Sequence, residues 1–168
     1  EGKFKIDKNK PVEEAALDFI DRHRNAFGLQ YAKKEFKLSE KKHRSSYGDA
    51  FIHYQQIYND IPIWGKVLTV HQNKDQDIDL IISGNIPTPN IDTTPLITAE
   101  EAIGYAKADQ NIPADVTPWP ANAELMIYEN LLAYMVEIDE WRYFIDAEKG
   151  SVISKTCTTR FEAVRGSQ

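Results

Sequence analysis

Gly48-Asp49-Ala50-Phe51-Ile52-His53-Tyr54-Gln55-Gln56-Ile57-Tyr58-Asn59-Asp60-Ile61-Pro62-Ile63-Trp64-Gly65 is the stretch on which the fold turns. Ala50 to Tyr58 is rich in aromatic and β-branched residues, the composition of a half-buried strand. Asn59-Asp60 followed by Pro62 is turn chemistry. A second strand runs from Ile63 to His71, with Gly65 placed at a bulge. Asn73 to Asp77 is a polar turn, and Ile78 to Ser83 a third strand that stops at Gly84. The pattern predicts an antiparallel meander.

Upstream, Val12, Ala16, Phe19, Ile20, His23 and Phe27 recur near helical spacing, so Pro11 to Phe27 is expected to be an amphipathic helix. Pro11 suits its first turn, Glu13 and Glu14 its positive end, and Gly28 its stop. Downstream, Ile86 to Pro95 carries three prolines without periodicity and reads as a linker. Thr98-Ala99-Glu100-Glu101 is a capping box that opens a second helix, with Ala102, Ile103 and Ala106 on its apolar face. Strands return at Glu124–Tyr128, Leu131–Ile138, Trp141–Ile145 and Ser151–Lys155. The expected class is α+β: two successive units, each a helix packed on an antiparallel β-sheet. Their expected spans are residues 1–85 and 96–157, with a linker over 86–95 and a tail over 158–168.

The chain has 168 residues, 42% of them hydrophobic, enough for a packed core. Its formal charge of −6 argues against nucleic acid as a partner, which calls for a basic face. Lys33, Lys34, Lys37, Lys41, Lys42 and Arg44 do cluster, but Glu35 and Glu40 dilute them, and the segment reads as a solvated surface. No apolar run approaches the roughly 20 residues of a membrane span. The single cysteine, Cys157, rules out a disulfide within the chain, and no motif sets a histidine beside it.

A search for catalytic chemistry returns little. His23, His43, His53 and His71 have no His or Cys three or four residues away, so no helical zinc pair exists. His53 and His71 fall on neighbouring predicted strands, without a third ligand. Asp75, Asp77 and Asp79 lie at a turn that lacks the central Gly and closing carboxylate of a calcium loop. There is no phosphate loop and no Gly-x-Ser-x-Gly elbow. No catalytic or metal-binding residue is assigned. What is left is sheet surface and a polar tail, Thr158 to Gln168.

The quoted strand pair, continued by Val70-His71, resembles the fungalysin/thermolysin propeptide motif: an aromatic, Gln-Gln, a tyrosine, a turn, Pro, and an aromatic before Gly. Asp60 stands where that motif usually has Gly, and Trp64 replaces another aromatic. The second half is similar to a PepSY-type domain, through Leu96 to Ile103, Glu124 to Tyr128, Leu132 to Val136, and above all Phe144-Ile145-Asp146-Ala147-Glu148-Lys149-Gly150-Ser151-Val152. The order of the two modules resembles propeptides of secreted, vibriolysin- and pseudolysin-like zinc metalloproteases of the thermolysin family.

That resemblance implies a non-catalytic pro-region that helps a catalytic domain to fold and then inhibits it. The partner would be the cognate mature protease domain, holding zinc and calcium that this chain does not bind. The implied setting is bacterial and secreted, without nucleic acid or membrane partners. The tail residues Arg165, Gly166, Ser167 and Gln168 would lie in the partner's cleft, with Gln168 at the cleavage site. Tyr54, Tyr58 and Trp64 are candidate docking residues. A free-standing PepSY-type binding or protease-inhibitor protein is the alternative reading, and an enzyme with a dispersed site is the third.

Overall fold

The computed structural model describes residues 6–7, 9–44, 49–75, 77–117 and 121–158. They fall into two compact units, Glu1–Ile91 and Asp92–Gln168, with the division inside the proline-rich stretch.

In the first unit α1 spans Val12–Arg22. Pro11 is its N-cap rather than a first-turn residue, and Glu13 and Glu14 occupy the first turn, where the helix dipole favours them. The helix is shorter than its apolar spacing predicts. At His23 the ring Nδ1 lies 2.8 Å from the Phe19 carbonyl oxygen, and Arg24–Phe27 tightens into a 3₁₀ turn. Gly28 closes that turn at φ +69°. A Cβ there would lie 3.2 Å from Pro87, so both backbone conformation and space favour glycine.

A short α2, Ala32–Glu35, leads into β1, Phe36–Arg44. This strand lies within the segment read as a solvated basic face. Lysines hid it: an edge strand tolerates them because they discourage pairing with other chains. The sheet continues with β2 (Ala50–Tyr58), β3 (Ile61–Gln72) and β4 (Ile78–Ser83), each antiparallel to the one before. The hairpin between β2 and β3 turns on Asn59 and Asp60, at φ +49° and +65°. Both central residues need positive φ in a type I′ turn, which gives the physical reason for glycine at the Asp60 position.

Alternation along β2 sends Ala50, Ile52, Tyr54 and Gln56 inward, and all four are buried. Ile52 and Tyr54 join Leu68 and Val70 of β3 and Ile78 of β4 against Ala16, Phe19 and Ile20 of α1. The opposite sheet face carries Phe51, His53 and Gln55 of β2.

The second unit has α3, Ala99–Asp109, over β5 (Ala121–Tyr128), β6 (Leu131–Ile138), β7 (Trp141–Asp146) and β8 (Val152–Cys157), all antiparallel. The capping box forms in full: the Glu101 amide donates to Thr98 Oγ1, and the Thr98 amide to Glu101 Oε2 at 2.7 Å. Ala102 and Ala106 pack on Tyr134, Val136, Ile138, Tyr143 and Ile145. The stretch Phe144 to Val152 now has a mechanical meaning. Asp146 Oδ1 accepts from the amides of Glu148 and Lys149, and the Gly150 amide donates to the Asp146 carbonyl at 2.9 Å. Ala147 is buried and its carbonyl accepts from the amides of Leu96 and Ile97, tying the start of the unit to this turn.

Gly150 sits at φ +69°, and a Cβ there would lie 2.4 Å from the Tyr105 ring. Gly150→Ala is therefore expected to destabilise the second unit by more than about 1 kcal/mol, read as a shift in the denaturant midpoint. Adding Tyr105→Ala should recover the steric share and leave the cost of positive φ.

Candidate functional site

The strand pair singled out by sequence is organised around two adjacent glutamines. Between the pairs Gln55↔Val67 and Ile57↔Pro62 the register jumps, so that Ile63 to Lys66 bulges opposite Gln56. Gly65 takes φ +67° in this bulge and has open space around it. Gln55 Nε2 lies 2.7 Å from the Ile63 carbonyl oxygen, 3.1 Å from that of Lys66 and 2.9 Å from that of Gln56. One side-chain amide thus reaches three carbonyls around the bulge.

Gln56 does the converse job on the inner face. It is fully buried. Its Nε2 donates to the Ile86 carbonyl at 2.8 Å and its Oε1 accepts from the Ile86 amide at 2.9 Å. The side chain mimics a strand neighbour for one residue of the proline-rich stretch. That stretch is anchored further along. The Thr88 amide donates to the Gly28 carbonyl, and Thr88 Oγ1 donates to Glu35 Oε2 at 2.7 Å. Buried Glu35 also accepts from the amides of Gln30 and Tyr31 through Oε1, at 2.8 and 2.7 Å. Asn85 Nδ2 donates to the Phe27 carbonyl. Residues 85–88 are therefore part of the first unit's packing, not free linker.

The three candidate docking aromatics separate. Tyr54 is core: it is wholly buried, its hydroxyl donates to the Glu13 carbonyl at 2.8 Å, and burial pushes its pKa up. It offers no surface to a partner, because strand alternation puts it on the helix-covered face. Tyr58 is half-buried at the hairpin end, and Trp64 is exposed on the bulge held by Gln55. Arg165, Gly166, Ser167 and Gln168 lie outside the described residues. Glu35, read from sequence as part of a solvated surface, is buried, and the bonding roles of Gln56 and Thr88 have no counterpart in the sequence reading. One signal was available: Gln56 shares the parity of Ile52 and Tyr54, so a core-facing amide was legible.

Among the described histidine side chains, each has its own partner. His53 Nδ1 lies 2.9 Å from Thr69 Oγ1, and His71 Nδ1 lies 2.5 Å from Asp79 Oδ1. The neighbours of His71 across the sheet are Phe51 and Leu80. Among the described residues no three His, Cys, Asp or Glu side chains are grouped to hold a metal ion. Among the same residues no helix is long and apolar enough to cross a membrane.

In the second unit a polar clamp joins the end of α3 to the sheet. Asp109 Oδ2 accepts from the Tyr143 hydroxyl at 2.9 Å and from Lys155 Nζ at 2.7 Å. Lys155 lowers the Asp109 pKa through that bond and has its own raised by it. Its ammonium also stands 4.6 Å from the Trp141 ring centroid and 5.1 Å from that of Tyr143.

Taken together these features define a surface-presenting module whose described polar groups hold its shape. Comparison with known proteins places it. Residues 35–83, from the buried Glu35 to the end of β4, match the Fungalysin/Thermolysin Propeptide Motif. A bacillolysin from Bacillus cereus is 25% identical over 164 residues, covering 87% of this chain and 29% of the relative. A thermolysin from Alicyclobacillus acidocaldarius is 30% identical over 164 residues, covering 85% of this chain and 29% of the relative. Among solved structures, the Bacillus megaterium YpeB C-terminal domain aligns with 94% of this chain and 70% of its own, at 14% identity and TM-score 0.39. Residues 35–83 thus match a propeptide motif, and most of the chain is similar in sequence to the matched part of thermolysin- and bacillolysin-type proteases. The chain spans about 30% of the length of those relatives.

Gln56→Leu keeps the shape but orphans the Ile86 amide and carbonyl beside the buried side chain. A loss of about 2–4 kcal/mol is expected, from one to two unsatisfied backbone groups, measured by urea unfolding of the full chain. Hydrogen exchange should quicken at the Ile86 amide in the same variant.

Proposed function

We propose that this chain is the pro-region of a thermolysin-type zinc metalloendopeptidase precursor, acting as an intramolecular chaperone and then as an inhibitor of the catalytic domain. One observation carries the reading: a propeptide motif over residues 35–83 inside a chain that aligns along 85–87% of its length with proteases about three times longer. The second unit is taken as a PepSY-type module on the strength of its Phe144 to Val152 turn, where Asp146 and Gly150 have backbone roles that other residues fill poorly. Catalysis, zinc and calcium would then belong to the partner domain, and maturation would occur outside the cytoplasm of a bacterium.

The chaperone role has a kinetic basis. A protease that persists in a hostile medium needs slow unfolding, and a high barrier slows folding as well. A template that binds the transition state lowers the barrier and is afterwards dispensable. Inhibition calls for a different resource. Arg165, Gly166, Ser167 and Gln168 are proposed to lie extended in the partner's cleft. A short product peptide binds weakly by itself. Nanomolar inhibition corresponds to about −12 kcal/mol, so docking of the folded units must raise the tail's effective concentration.

The test refolds denatured protease domain from the same precursor with and without this chain in trans. Recovered activity should rise at least about tenfold with the chain, and the mature enzyme should be inhibited by it. Equal yields remove the chaperone role. Removing Arg165 to Gln168 should weaken inhibition while the chain's own unfolding midpoint stays put; unchanged inhibition sinks the cleft-bound tail alone.

A further inference from the structure

Strand alternation leaves the first unit's sheet with an outer face that α1 does not cover. Register places its residues in rows. Phe51 of β2, His71 of β3 and Leu80 of β4 lie side by side; His53, Thr69 and Ile82 form the next row; Gln55 and Val67 follow. Phe51 is 38% exposed, Val67 38%, Leu80 47% and Ile82 57%. Phe51 and His71 hold each other, with ring centroids 4.6 Å apart.

The β4 end of this face is shaped by an irregularity. Gln72 pairs with Ile78 but His71 with Leu80, so Asp79 is an extra residue in β4. Without it, a core-facing Ile78 would leave Leu80 core-facing too. The bulge turns Leu80 and Ile82 outward while Ile81 packs against the core. The backbone thus departs from regular pairing in a way that brings two large aliphatic side chains to the surface. Two exposed aliphatics on an edge strand are an aggregation hazard unless something covers them.

We propose that this face, centred on Phe51, Val67, Leu80 and Ile82, is the surface on which the protease domain of the same precursor docks. The inference rests on the pro-region reading and adds to it the face that makes the contact. Two observations select that occupant. The first is charge. On a chain with 46 Asp, Glu, Lys and Arg residues, these rows of β2, β3 and β4, among the described residues, hold none of them. Asp79, the extra residue of β4, is bonded to His71, and Lys37 stands at the rim opposite Gln55. A core depleted of charge within a polar rim is the composition of a protein–protein interface, not of a nucleic-acid or anionic-membrane contact. The second is length. The relatives continue for more than twice the length matched here, so in them a large domain is joined to the matched region in one polypeptide. A covalent neighbour meets the face at high effective concentration, whereas a second copy meets it only at the bulk concentration.

The experiment measures inhibition of the mature protease domain of the same precursor by the full chain, using a chromogenic peptide. Three proteins are compared: the unaltered chain, the double variant Leu80→Lys with Ile82→Lys, and a control, Leu131→Lys, which charges an equally exposed aliphatic in the second unit. Each is checked by thermal unfolding and sedimentation. The expected result is that the double variant inhibits at least about 30-fold less tightly, as loss of central interface anchors does, with its unfolding midpoint kept. The control should stay within about threefold. Hydrogen exchange on the unaltered chain, which needs no variant to fold, should show β4 amides protected by the protease. Equal inhibition by all three, with no protection at β4, overturns the face while leaving the pro-region reading intact. No inhibition by the unaltered chain overturns the reading and the face together. A dimer of the unaltered chain that the double variant abolishes would assign the face to a second copy and overturn the proposal.

Discussion

An amide buried in an apolar core must find partners for its oxygen and nitrogen, and Gln56 meets that constraint in one arrangement only. Its side chain lies on the inner face of β2 between aliphatic residues, where an unpaired amide would cost about 1–3 kcal/mol per group. The Ile86 backbone supplies both partners. Because Ile86 is thereby placed, Thr88 reaches Glu35 and Gly28, and the chain leaving β4 is drawn back across the start of the unit. Gln55, pointing the other way, stabilises the bulge that Ile63 to Lys66 makes opposite Gln56. The pair of glutamines thus joins the irregular part of the sheet to the segment that closes the unit.

The same division of labour runs through the second unit. Asp146 organises its turn through backbone amides, and Gly150 leaves room for Tyr105. Asp109 secures the end of α3 to Tyr143 and Lys155. Polar groups with no catalytic partner are therefore accounted for by shape. That is why a scan for acids, bases and nucleophiles finds so little. Gln56, Glu35 and Asp146 bond backbone groups, and Asp109 bonds side chains that fix the end of α3.

Legibility differed by element. The β2–β3 hairpin, the capping box at Thr98 and the strands of the second half could be read because alternation, turn residues and capping chemistry are local signals. β1 could not, since Phe36 to Arg44 is mostly charged and its pairing with β2 supplies the order that its composition lacks. The first helix ran short of its apolar spacing because Phe27 and His23 serve a 3₁₀ turn that Gly28 ends. Tyr54, Tyr58 and Trp64 looked alike as motif aromatics. Burial separated them, placing Tyr54 against α1 and Trp64 on the bulge.

By itself the sequence determined the helix-and-meander plan, the turn positions and the propeptide motif, since each depends on residues close together along the chain. Tertiary structure alone decided three things: that Gln56 reaches Ile86 thirty residues on, that residues 85–88 pack within the first unit, and that Asp79 turns Leu80 and Ile82 outward. The physical reason is common to all three. Each is set by which strand pairs with which and in what register, and a register shift of one residue exchanges the two faces of a strand. Side-chain period can be counted along a sequence, but the partner that fixes its phase is found only in the folded sheet.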